Sequence, residues 1–103
     1  MTMDAAELLR GLPGESLIRE GLADVAAGRR SVAACLVAIA APRLRRAGLL
    51  AHGAASLPTE PERELYALLR KNGGDAYARY NALLRDLISF EQALDRRIRL
   101  AAT

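Results

Sequence analysis

Apolar residues recur along this chain at intervals of three and four, in blocks separated by Gly and Pro, which is the pattern of successive amphipathic helices. Residues 4–11 place Leu8 and Leu9, with Leu12 just beyond, on one side of a short first helix, and Leu12-Pro13-Gly14 ends it. A second helix over 15–27 aligns Leu17 or Ile18 with Leu22, Val25 and Ala26, and Gly28 is its stop. Gly21 in its middle costs roughly 1 kcal/mol against Ala, which is explained either by a close helix crossing or by a glycine that is merely tolerated.

Ser31 is placed to cap a third helix that opens the apolar run 32–41. That run is apolar around its whole circumference, so the third helix is expected at the centre of the fold. Pro42 lacks a donor and clashes with the preceding turn, so a kink or break is expected near Ala41, with 43–47 as a bent extra turn before Gly48. The connection 49–58 carries Leu49, Leu50 and Leu57 and is expected to fold back on the core. Thr59 and Glu62 have the spacing of a capping box, with Pro61 in the first turn of a fourth helix that runs to Lys71 and buries Leu65, Leu68 and Leu69. Asn72-Gly73-Gly74 then turns the chain, and Asp75 can cap a fifth helix over 76–100. So short a link makes the last two helices an antiparallel hairpin.

The fifth helix reads in heptads, with Tyr77, Leu84, Glu91 and Ile98 at one core position and Tyr80, Leu87, Leu94 and Ala101 at the other. Leu83, Ile88 and Phe90 widen the stripe beyond what one neighbour covers. At 1.5 Å per residue the helix is about 37 Å long, so part of it is expected to project or to pack against a second copy through Leu84, Leu87, Ile88, Glu91, Leu94 and Ile98. A carboxylate in such a seam needs a partner, which Arg43 or Arg79 of the same or a neighbouring chain could supply; the alternative is a helix rotated so that Glu91 lies exposed at its edge.

Length and composition narrow the class. The 103 residues make one helical domain spanning 1–103, and aromatic residues at 4% leave little for a sandwich or barrel. Ala and Leu, both strong helix formers, fill 39 of those 103 positions. The expectation is an all-α bundle of four main helices plus a short N-terminal one, the third central and kinked at Pro42. Cys35 is the only Cys and His52 the only His, which excludes an internal disulfide and a conventional Cys/His zinc site, and no cofactor is expected. The N-terminal residues lack a basic lead and apolar core, and a ten-residue apolar run is half of what a membrane helix needs, so a cytoplasmic chain without membrane contact is expected. Of the 15 basic residues only Lys71 is Lys, a bias that GC-rich coding in a bacterial gene would produce.

Residues 25–59 hold Arg29, Arg30, Arg43, Arg45 and Arg46 and no acid, so Arg43, Arg45 and Arg46 are the candidate phosphate contacts for a nucleic-acid partner. The competing explanation is that basic residues gather at helix ends and acidic ones at helix starts, which complements the helix dipoles and needs no ligand. Cys35 sits in the most apolar helix as a small hydrophobe, Ser31 is explained as a cap, and Tyr66, Tyr77 and Tyr80 as packing residues. Arg46 precedes His52 by six positions. This spacing resembles the Arg…His motif of HEPN ribonucleases, small all-helical proteins acting on RNA at a dimer cleft. The resemblance implies His52 as acid or base and Arg46 steadying the phosphate.

Without a fuller catalytic constellation, the leading expectation is a non-enzymatic helical protein–protein interaction module, working as a homodimer that offers a helical face or the 49–57 segment to a protein partner. The second is a nucleic-acid-associated protein using Arg43, Arg45 and Arg46, with a ribonuclease version that rests on Arg46 and His52.

Overall fold

A computed structural model of the chain describes residues 3–51 and 57–102. These residues form helices only: α1 (Ala5–Leu9), α2 (Glu15–Ala26), α3 (Val32–Ile39), α4 (Ala41–Arg46), α5 (Pro61–Lys71) and α6 (Ala76–Ala101). The expected all-α bundle is what forms, with the third helix split in two. Helix α3 stops at Ile39, Ala40 leaves helical geometry with ψ near 4°, and α4 restarts at Ala41 with Pro42 in its first turn. In a straight helix the Pro42 ring would strike the carbonyl one turn back, and the break removes that clash.

Side-chain caps fix three of the six described helix starts. Asp4 and Glu7 form a reciprocal capping box on α1, at 2.8 Å from the Glu7 amide to Asp4 and 3.3 Å from the Asp4 amide to Glu7. Ser31 accepts the Ala34 amide at 3.0 Å and Asp75 accepts the Ala78 amide at 3.0 Å. The capping box expected at Thr59 and Glu62 does not form. Glu60 is the N-cap of α5, with φ −125° and ψ 71°, and gives no side-chain cap. A residue preceding proline is pushed out of helical geometry, so Glu60 cannot be the first helical residue that a Thr59 cap would require.

Helix α3 lies at the centre, packed against both α2 and α5, with residues 33–37 buried together with Ala40 and Ala41. The closest approach is at Gly21, where a Cβ would lie 2.5 Å from Val37 Cγ2 and against the Ala33 carbonyl. The cost of a mid-helix glycine is therefore offset by a helix crossing no larger residue permits. Helices α5 and α6 form the expected hairpin, with Tyr66 and Tyr80 edge to face at 5.5 Å between ring centres. Arg79 of α6 donates to the carbonyls of Leu69, at 2.8 Å, and Gly73, holding the end of α5. Leu50 and Pro58 are buried and Leu49 and Leu57 half-buried, so the described parts of the 49–58 connection do fold back on the core.

Residues distant in sequence close the other end. Arg97 of α6 donates to the carbonyls of Glu7 at 3.2 Å, Leu8 at 3.1 Å and Arg10 at 2.5 Å, which are the unpaired acceptors at the end of α1. The result is a flat body of 45 × 27 × 17 Å with α6 along its length.

Candidate functional site

Helix α6 buries Ala76, Leu87, Phe90 and Leu94 along one face. Leu87 is 5% exposed and Leu94 0%, so these two of the six residues expected at an interface belong to the chain's own core. Leu84 and Ile98 are half-buried at its edge. Ile88 is 52% exposed, as is Tyr77 to 67%. Tyr77, Leu84 and Ile88, spaced seven and then four apart, lie on one side of the helix and form the apolar strip that remains open.

Glu91 finds its partner within the chain. Its carboxylate is 3.9 Å from Arg43 Nε, and Asp95, one turn further along, meets Arg43 Nη1 at 2.8 Å. Burial holds the Glu91 carboxyl above the usual carboxylate range, with Arg43 drawing it back and Asp95 pushing it further up. The cluster therefore fastens α4 to α6 inside one protomer, and Arg79, the other candidate partner, is engaged at the end of α5.

The proposed phosphate contacts are divided by the same cluster. Arg43 is neutralised by Glu91 and Asp95, Arg45 has its Nε buried without a hydrogen-bond partner, and Arg46 is exposed at the end of α4. Arg29 pairs with Asp24 at 2.9 Å and Arg30 with Glu64 at 2.7 Å, so the acid-free stretch of sequence is not acid-free in space. His52 lies outside the described residues, and so does the geometry of the Arg46…His52 pair.

Two polar clusters went unread in the sequence because their members lie on different elements. Asp24, almost fully buried, accepts from the Ser31 hydroxyl at 2.6 Å and from Arg29 Nε at 2.9 Å, and these bonds hold its carboxyl below the usual range. The cluster clamps the α2–α3 turn. Cys35, wholly buried, lies 3.7 Å from Glu64 Oε2, and burial together with that carboxylate pushes the thiol up to about 12, leaving it protonated and unreactive. Among the described residues no group of three His, Cys, Asp or Glu side chains could hold a metal ion. The cavity among Ile18, Leu36, Leu83 and Phe90 measures about 10 Å³, room for one water at most, and takes no apolar ligand.

A larger depression lies at the far end of α6. Gly11, Leu12 and Pro13, in the α1–α2 link, face Ala93, Arg96 and Leu100 across an open groove of about 1040 Å³. A second groove of about 360 Å³, lined by Leu8, Arg46 and Ile98, shares Met3 and Ala101 with it. Among the described residues neither groove has an acidic or an aromatic side chain in its lining. No family model matches the chain, and neither a curated protein nor a solved structure matches it. No helix is long and apolar enough to cross a membrane among the described residues.

Proposed function

We propose that this chain is a non-enzymatic helical interaction module that works as a homodimer, through the face of α6 carrying Tyr77, Leu84 and Ile88. The observation that carries the reading is that apolar strip: a 26-residue helix that has already committed one face to the core presents a second apolar side to solvent. Surface area supports it. The chain exposes 6351 Å², whereas a globular monomer of 11.1 kDa is expected to expose about 5,650 Å². An excess of roughly 700 Å² is compatible with a face that a partner covers, and the flat 45 × 27 × 17 Å shape contributes to it. The Cys35 thiol, held protonated by burial and by Glu64, offers no nucleophile, which is in keeping with the non-enzymatic part.

Light scattering on a gel-filtration column tests the reading. A particle of twice 11.1 kDa is expected for the native chain, and one of single mass for Ile88→Glu. A native chain of single mass at about 100 μM overturns the dimer. Nucleic acid co-migrating at 260 nm and removed by salt overturns the protein-interaction reading in favour of the phosphate-binding one, because phosphate contacts weaken steeply between about 50 and 200 mM salt.

A further inference from the structure

The arginines fall into two populations. Arg19, Arg29, Arg30, Arg43 and Arg63 each meet a carboxylate, and Arg79 and Arg97 bind backbone carbonyls. Arg10, Arg45, Arg46, Arg70, Arg85, Arg96 and Arg99 do neither among the described residues, and three of these, Arg46, Arg96 and Arg99, line adjoining grooves at one end of the molecule. Arg96 and Arg99 edge the larger groove, and Arg46 lines the smaller one beside it. Helix-end neutralisation accounts for Arg99, in the last turn of α6. It does not account for Arg96, a turn earlier, and the end of α1 is already served by Arg97.

The groove is also apolar. Leu12, Pro13, Ala93 and Leu100 line it between the arginines, and Leu100 is 67% exposed. A chain of phosphates would gain nothing from that lining, and no aromatic ring is present for a base to stack on. A lipid surface is flat, whereas this site is a concavity of about 1040 Å³. The α6 side of the groove runs from Ser89 to Ala101, about 18 Å at helical rise, a little over three turns of a docked helix.

We propose that this end of the molecule binds an acidic amphipathic segment of a partner protein. Its apolar side chains rest on Leu12, Pro13, Ala93 and Leu100, and its carboxylates face Arg96, Arg99 and Arg46. The inference supplies the partner chemistry of the interaction-module reading and rests on it, but not on self-association, because the α6 strip of Tyr77, Leu84 and Ile88 lies outside both grooves.

The test is to pan a displayed library of random 14-residue peptides against the full-length chain, then measure the enriched peptides by fluorescence anisotropy. Enriched sequences are expected to alternate Asp or Glu with Leu, Ile or Phe, and to bind the Arg96→Gln/Arg99→Gln variant about tenfold more weakly. Both side chains are exposed, so the variant is expected to keep the native circular dichroism spectrum. No enrichment, enriched peptides without acidic residues, or equal binding to the variant overturns the proposal. So does a 20-nucleotide single strand that binds more tightly than any peptide. The Ile88→Glu variant separates the two readings: peptide binding by this monomer upholds the groove whatever the oligomeric state of the native chain.

Discussion

Gly21 shows how a single position links the two levels. Its cost in helix propensity was visible in the sequence, and the crossing that demands it is the contact with Ala33 and Val37. Gly21→Ala gains helix propensity but forces a methyl into backbone atoms, so a net loss of about 2 kcal/mol, or roughly 10 °C in Tm, is expected by thermal denaturation. Glu91 and Asp24 make opposite predictions with pH. The Glu91 carboxyl is raised in the folded chain, so the fold binds the proton more tightly than the unfolded chain does. Stability from this group is therefore greatest below its unfolded value of about 4.3 and falls as pH rises through the folded one. Glu91→Gln is expected to remove that decline and to be the more stable protein at pH 7, since Arg43 keeps Asp95. Asp24 is lowered by Ser31 and Arg29, so its contribution is present above about pH 4 and lost as pH falls through the folded value, and Asp24→Asn flattens that acid limb. Urea titrations between about pH 3 and 7 read both slopes. Glu91 could be singled out from its apolar neighbours at helical spacing, whereas the burial of Asp24 depends on how the α2–α3 turn folds over it, which no local pattern encodes.

At the scale of elements, the sequence was most informative where one residue type enforces a backbone state. Pro42 dictates the α3–α4 break, and Gly28 and the Gly73-Gly74 pair, all at positive φ, end helices where expected. The Thr59 capping box failed because two rules compete at that helix start, and the restriction proline places on its predecessor is the stronger. Thr59→Ala is accordingly expected to change stability by less than about 0.5 kcal/mol, while Ser31→Ala, which loses an N-cap bond as well as the bond to Asp24, costs about 1 to 2 kcal/mol. The same denaturation series distinguishes them, and an equal loss in both would restore the Thr59 cap. The heptad reading of α6 put Leu87 and Leu94 at a core position, and both are buried in the chain's own core, but it gave the other core position to Tyr77, which is 67% exposed, and put the buried Phe90 on a flank. Periodicity shows that a face is apolar and cannot say whose side chains cover it.

At the scale of the whole molecule, the charge pattern along the sequence misled and the three-dimensional one replaced it. Arg29, Arg30 and Arg43, adjacent to no acid in the sequence, are each paired in space. Arg46, Arg96 and Arg99, 53 positions apart at the extreme, converge instead. That convergence depends on α4 being tied to α6, and the Arg43 cluster does this with residues that looked like functional candidates in their own right.

The three hydrogen bonds from Arg97 to the end of α1 span 87 to 90 positions of sequence. During synthesis α1 is made before α6, so its anchor emerges only 87 to 90 residues later. Anchoring of α1 through Arg97 therefore cannot precede the formation of α6, and its release is expected early in unfolding. Amide hydrogen exchange is expected to show α1 protected less than α3, and Arg97→Gln to deprotect α1 while leaving α3 unchanged; equal deprotection of both would mean that the chain folds as one cooperative unit.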